Sequence, residues 1–335
     1  MITSEAAAHD PSTGSDFRRV GAPRRLARLA TLWFAAGISG AVLTGCGSSG
    51  GGRPLIVYEA QTGDVTNIYT IDPQNGATTQ LTHGKTFDGN PSWSPDRRQI
   101  VFSSRRDGQA QPDLYVMDAD GSHVRRLTNT PDAGEWSPKL SAGGRRLTYV
   151  RSSSKGWSVW VANADASSPR QVAGEYEFAE FPAWTPDGRE VYFSAIMPAA
   201  AGAPQPLAHI YSADVATNAV QVRIDTGGTD ACPHFSHDGK SLTYAASRTG
   251  GEYGGGNLNL FAHDTSSSDT SGAHDMALTD DASRNDYGNP SPDDRQIVFI
   301  SDRDGNAELY VMDRNGSHQR RLTNTPGVRE NVPDW

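Results

Sequence analysis

The sequence predicts an all-β fold, a closed six-bladed β-propeller of four-stranded antiparallel blades. Residues 90–131 and 289–326 have nearly the same sequence, and weaker copies start at Pro138, Pro182 and Pro233. The repeats are 43 to 57 residues long and rich in strand-forming residues. A period of this length with short strands is typical of a propeller or a solenoid.

Each copy divides into four strand-like pieces separated by turn residues. In the first copy we expect strand A at about 91–94, strand B at 99–103, strand C at 113–118 and strand D at 124–128. The segments "RQIVFS" and "DLYVMD" alternate as pleated strands do, and "SPDR", "RRDG" and "DADG" fit tight turns. Four antiparallel strands of this kind make one propeller blade.

The two ends of the repeat region predict how the ring closes. Residues 54–82 supply strands B, C and D of a blade, while the terminal "NVPDW" (331–335) supplies only strand A. Joining them completes a sixth blade, in which Trp335 packs as Trp93 and Trp184 do in theirs. A closed ring leaves no open seam, whereas an open solenoid would need capping repeats that we do not find.

The motif P-x-W-S-P-D-G, followed by an apolar strand and "LYVMDADG…RRLT", resembles the TolB-type β-propeller repeat. The resemblance covers residues 54–335 and is strongest in the first and fifth copies. The second copy has "LSAGG" (140–144) where "WSPDR" (93–97) stands in the first. The fifth copy lacks two residues and therefore its tryptophan.

The N-terminal region predicts export and lipid anchoring. Five arginines precede an apolar run over 29–42, and "LTGC" at 43–46 resembles the lipobox of bacterial lipoproteins. We expect a signal peptide over 1–45, a lipidated tether over 46–53 attached through Cys46, and a propeller over 54–335 at the bacterial cell envelope. The alternative is an ordinary signal peptide with a chance cysteine.

The net charge and the cysteine content limit which classes of partner the chain can bind and what can stabilise its fold. Without residues 1–45 the chain carries 25 basic and 36 acidic residues, a net charge of −11. Nucleic acid is then not expected to bind, because phosphate contacts need a basic surface. With Cys46 acylated, Cys232 has no cysteine to pair with, so the fold must depend on its core. We expect a monomer that binds an envelope protein or a small ligand.

Four acidic residues at the entry to the innermost strands predict a binding site at one mouth of the channel. They are Asp88, Glu135, Asp230 and Glu330, with Glu180 and Asp286 one position away from the corresponding place in two other blades. A ring of carboxylates could bind a divalent cation such as Ca²⁺ or a basic group of a partner. Alternatively, the acids are independent, solvated turn residues.

The same face should carry the connections from strand B to strand C. The insertions over 196–208 and 247–256 and the residue Trp157 belong to these connections. Long loops on a rigid scaffold often bind partners; the alternative is that these loops are tolerated insertions without a binding role. The insertion over 264–274 joins strands C and D on the opposite face, and its composition suggests a solvated loop without a binding role.

The sequence offers little for catalysis. It has no H-E-x-x-H or C-x-x-C motif, and its one match to G-x-S-x-G, at 47–51, falls within the Gly/Ser tether. His234, close to Cys232 and to His237, is the one histidine clearly placed on an inner strand, where it could contact a ligand or hold a metal. We therefore expect a noncatalytic binding module, with a hydrolase or lyase acting on carbohydrate or peptide at the acidic mouth as the alternative.

Overall fold

The computed structural model describes residues 54–197, 207–247, 257–280 and 282–335. These residues form six four-stranded antiparallel sheets, and they contain no helix that could span a membrane. The signal peptide, Cys46 and the tether lie outside the described residues, as does most of each strand B to strand C insertion. The predicted six-bladed fold is confirmed.

The strands follow the chain in order, and we number blades 1 to 5 from the first complete one. The closing blade begins with β1 (Ile56–Thr62), β2 (Val65–Ile71) and β3 (Thr78–Gln80). Blade 1 contains β4 (Asp88–Trp93), β5 (Gln99–Ser104), β6 (Asp113–Asp118) and β7 (Arg125–Arg126). Blade 2 contains β8 (Gly134–Leu140), β9 (Arg146–Ser153), β10 (Gly156–Asn163) and β11 (Arg170–Tyr176).

The second half of the ring has the same order. Blade 3 contains β12 (Phe178–Trp184), β13 (Glu190–Ile196), β14 (Ala208–Asp214) and β15 (Val220–Ile224). Blade 4 contains β16 (Thr229–Phe235), β17 (Ser241–Ser247), β18 (Asn259–Asp264) and β19 (Met276–Ala277). Blade 5 contains β20 (Asn285–Pro290), β21 (Gln296–Ser301), β22 (Glu308–Asp313) and β23 (Arg320–Arg321). The last strand, β24 (Arg329–Asp334), pairs with β1 and completes the closing blade.

Ring closure occurs through the C-terminal strand, as predicted. Residue Trp335 is buried in a cluster with Ile56 of β1 and with Val298 and Val311 of blade 5. Its Nε1 donates a hydrogen bond to the carbonyl of Pro54 at 2.9 Å. The terminal tryptophan therefore ties both ends of the described chain to the neighbouring blade.

Every inner strand is interrupted by the same irregularity. Between the two halves of each inner strand the pairing register shifts, as at Gly89/Ser92 in β4. One residue other than glycine at each shift has a φ between 44° and 54°: Asn90, Ser137, Phe181, Cys232, Tyr287 and Val332. Such values are uncommon for L residues, and a bulge bends its strand and redirects side chains. The bulge separates the two ends of the channel.

Candidate functional site

The bulge residues close the middle of the central channel. Phe181 belongs to blade 3 and Tyr287 to blade 5, yet their rings meet edge to face with centroids 4.9 Å apart. Because these blades are not neighbours, the two rings meet across the axis. They share a buried cluster with Cys232. A narrow throat of about 30 Å³, lined partly by Asn90 and Phe181, lies beside these two rings.

A larger cavity opens where the inner strands end, on the face that carries the strand A to strand B connections. We call it the channel cavity; its volume is about 470 Å³. Six positions that follow the bulges form its floor and the adjoining throat: Ser92, Lys139, Ala183, His234, Asn289 and Asp334. The acidic mouth predicted from the sequence lies at the opposite end of the channel from this cavity.

Asp334 organises the floor of the channel cavity. Its carboxylate is paired with the ammonium of Lys139. It accepts hydrogen bonds from the Asn289 amide at 2.7 Å, from the backbone N–H of Trp93 at 2.7 Å and from the Ser92 hydroxyl at 3.2 Å. Burial acts to raise the pKa of Asp334, but Lys139 and the backbone N–H of Trp93 outweigh it and hold the pKa below its usual value. The group is therefore ionised and fully bonded.

His234 contributes a neutral imidazole to the same cavity. Its Nδ1 lies 3.1 Å from the carbonyl oxygen of Cys232, which can only accept, so Nδ1 carries the proton. Burial, followed by the charge of Lys139, lowers the pKa of His234 to about 4. In the described part of the chain Nε2 has no hydrogen-bond partner and is an available acceptor. Lys139 and His234 thus present a donor and an acceptor side by side.

Aromatic side chains form the wall of the channel cavity. Trp93, Trp184, Phe235 and Trp335 occupy corresponding places in their blades. The Trp184 indole donates to the carbonyl of Lys139 at 3.1 Å, whereas the buried Nε1 of Trp93 has no partner in the described structure. The wall therefore combines a large apolar surface with one unsatisfied donor.

The four predicted acids lie at the other end of the inner strands, but each is bonded within its own neighbourhood. Asp88 accepts from the Ser104 hydroxyl at 2.5 Å and pairs with Arg106 at 3.1 Å. Glu135 pairs with Arg151 at 2.6 Å and accepts from the Thr130 hydroxyl at 3.0 Å. Both side chains therefore brace the loop and strand beside them.

The other two acids behave in the same way. Asp230 accepts from the backbone N–H and the hydroxyl of Thr226, at 3.0 and 2.7 Å. Glu330 accepts from the hydroxyls of Thr323 and Thr325. In blade 5 the corresponding place, two residues before the bulge, is held by Asn285.

The described residues contain one group of at least three side chains with ligand atoms close enough to hold a metal ion. It consists of His209, Asp225 and Asp230, and it includes only one of the four predicted acids. The four predicted acids each form hydrogen bonds or ion pairs within their own part of the ring, which explains why their carboxylates do not come together. Calcium binding at this mouth stays a prediction.

Glu180 and Asp286, the acids one position away from the corresponding place in blades 3 and 5, are both buried and interact electrostatically. Asp286 is paired with Arg284 at 2.7 Å. Burial, followed by the charge of Asp286, raises the pKa of Glu180 well above its usual range. The nearby charge of Asp286 therefore favours the neutral form of Glu180.

Trp157 lies in the interior and not on the predicted binding face. It is 6% exposed, and it packs between Trp136 and Phe178 with ring centroids 6.5 and 4.9 Å away. Its strand, β10, turns the indole toward the interface with blade 3. Of the two predicted face contacts, only His234 lines a cavity, and it does so on the opposite face.

Sequence reasoning missed Lys139, Asn289 and Asp334. A signal was present, because Lys139, His234 and Asp334 each directly follow an anchor proline. Asn289 precedes its proline and reaches the same place only through the shortened fifth repeat. The pairing of Lys139 with Asp334 also depends on ring closure, which brings together residues 195 positions apart.

Comparisons with known proteins agree with this architecture. The family model of the TolB beta propeller domain (PD40) matches residues 47–201 and 114–253. The crystal structure of TolB from Acinetobacter baumannii has a TM-score of 0.68 and 18% identity, covering 85% of this chain and 68% of that one. At this identity the likeness shows the fold alone.

Two curated relatives match parts of the chain. An uncharacterized protein of Agrobacterium fabrum is 28% identical over 200 residues, covering 56% of this chain and 61% of the relative. An uncharacterized peptidase of Bacillus subtilis is 32% identical over 112 residues, covering 32% of this chain and 17% of the peptidase. This chain therefore spans less than two thirds of either relative. The two family matches together extend over more than half of the chain, which belongs to the TolB β-propeller domain family.

Proposed function

We propose that the protein is an exported, lipid-anchored propeller that binds a segment of a partner protein in the channel cavity without catalysing a reaction. The observation that carries this proposal is the cavity of about 470 Å³ with an aromatic wall and a charged floor. Binding sites are commonly concave and apolar, with a few polar groups that fix orientation. The Lys139 ammonium can donate to a peptide C=O group, and Nε2 of His234 can accept from a peptide N–H group.

The state of the reactive groups supports binding over catalysis. Burial raises the pKa of the Cys232 thiol well above its usual value, which disfavours the nucleophilic thiolate. His234 has a pKa of about 4 and is a weak base at neutral pH. Asp334 is already bonded to four donors. These three groups would serve poorly as nucleophile, base and acid.

Envelope localisation belongs to the same proposal. The apolar run and "LTGC" before Cys46 support export and acylation. A tether from 46 to 53 would hold the propeller close to its membrane, since each extended residue adds only about 3.4 Å.

Site-specific photocrosslinking tests the binding proposal. Ala142 is exposed and lines the rim of the channel cavity, so a photoreactive amino acid there should capture the partner in intact cells. Ala216, on an exposed turn of blade 3 outside the cavity, is the matched control position. We expect a crosslinked product at residue 142 that weakens when Lys139→Met removes the floor charge. Equal crosslinking at both positions would contradict binding in the cavity.

A further inference from the structure

A wedge position at the end of each inner strand fills the space between adjacent blades. In β4 this residue is Trp93, which pairs in register with Ile100, and in β20 it is Pro290, which pairs with Ile297. Around the ring the wedge residues are Trp93, Leu140, Trp184, Phe235, Pro290 and Trp335. Five are large apolar or aromatic residues, and blade 5 alone has a proline.

The tryptophan wedges pack on the preceding blade. Trp184 shares a buried cluster with Val161 of blade 2, and Trp335 shares one with Val298 and Val311 of blade 5. Arginines cover two of the indoles: the guanidinium of Arg97 lies 4.5 Å from the Trp93 ring centre, and that of Arg146 lies 4.7 Å from the Trp184 ring centre. At these two of the six wedge positions, a flat aromatic ring therefore lies beneath a cation.

Between blades 4 and 5 the side chains on both sides of the interface are smaller than at the other interfaces described above. On blade 5, Pro290 stands at the wedge position. On blade 4, the residues that would contact the wedge are Thr243 and Ala262. Their counterparts on blade 5, Val298 and Val311, are larger and contact Trp335. The result is an open groove of about 580 Å³. We call it the blade 4–5 groove.

We propose that the blade 4–5 groove binds an aromatic side chain, foremost a tryptophan, presented by a partner polypeptide. Pro290, Ile297 and Ala262 line the groove, and Met276, 45% exposed, lies at its edge. A thioether beside an aromatic ring is a favourable contact. The partner's ring takes the place that the protein's own wedge has in the other blades.

Charges around the groove fit the same occupant. Lys240 and Arg314 line it and supply cations for the face of the ring, as Arg97 and Arg146 do elsewhere. Asp264 also lines the groove; its Oδ1 accepts from Ser266, and its Oδ2 can accept from an indole N–H. This second feature favours tryptophan over phenylalanine, whose ring has no donor. The insertion over 264–274, which the sequence suggested to be filler, contributes part of this rim through Asp264 and His274.

The groove is a second site, and its existence does not depend on the proposed use of the channel cavity. The two cavities share only Ser236 among their lining residues. Substitutions at Ala262 and Pro290, which line the groove and not the channel cavity, therefore test the groove alone.

The test is a titration of the protein with N-acetyl-5-fluorotryptophan amide, followed by fluorine NMR. N-acetyl-phenylalanine amide and N-acetyl-leucine amide serve as competitors. Ala262→Phe should fill the groove and weaken probe binding about tenfold, in line with the energy of an aromatic contact. Ala216→Phe adds the same bulk to an exposed turn and should leave probe binding unchanged.

A second variant keeps the proposal testable if Ala262→Phe fails to fold. Pro290→Trp supplies the missing wedge from the protein itself, so it should raise the melting temperature and abolish probe binding. The tryptophan probe should be displaced better by the phenylalanine amide than by the leucine amide. Undiminished probe binding in both groove variants, or equal displacement by the two competitors, would overturn the proposal.

Discussion

Removing the C-terminal segment 331–335 should strongly destabilise the propeller. The deletion takes away most of β24, and with it the strand pairing to β1 and the Trp335 indole, which is 5% exposed. Trp335→Ala alone should cost about 3–5 kcal/mol, the range for truncating a buried aromatic residue. The deletion should cost more, because it also leaves Lys139 and Asn289 without the Asp334 carboxylate.

Thermal unfolding followed by circular dichroism measures both effects. A loss of this size should lower the melting temperature of a domain of this length on the order of 10 °C. Trp157→Ala is the matched control, since Trp157 is equally buried but lies away from the closing blade. We expect the deletion to exceed this control. A melting temperature that is unchanged after removal of 331–335 would refute closure as a source of stability.

Three further predictions concern protonation, anchoring and cation binding. Burial, followed by the charge of Glu308, raises the pKa of Glu330 from 4.5 to about 8. The folded state then keeps a proton that the unfolded state releases, so stability should fall as pH rises from 4.5 to 8, and Glu330→Gln should flatten this dependence in melts at several pH values. Cys46→Ser should move the protein from the membrane to the soluble fraction; continued membrane association would contradict lipidation. Calcium at a hundredfold excess over its dissociation constant should stabilise the fold by about 2.7 kcal/mol if it binds. That shift should vanish in Asp88→Asn/Asp230→Asn, and its survival would place the ion elsewhere.

The blade count and the ring closure could be predicted from sequence because the repeat encodes them locally. Each blade is built from consecutive strands, so the same order of turns and alternating residues predicts the same sheet wherever it recurs. The split between 54–82 and "NVPDW" indicated closure because each part lacks what the other supplies. Strand bounds differed modestly: β4 begins at Asp88, three residues before the predicted start.

The candidate site was less predictable, because it depends on the direction of side chains within the inner strands. Asp88 and Glu135 were placed at the correct end of their strands, but their side chains bond to neighbours instead of joining at the axis. Trp157 was expected on a face and is buried, because alternation along β10 directs it toward blade 3.

Sequence by itself determined the repeating blades, the closing strand and the missing fifth tryptophan, because each is a property of one repeat compared with another. Only the tertiary structure decided which residues meet across repeats. The bulges send Phe181 and Tyr287 into the channel, ring closure brings Asp334 to Lys139, and the small pair Thr243 and Ala262 turns the missing wedge into a groove. These contacts join residues from different blades. The spacing of these residues along the chain does not reveal how the ring curves to bring them together.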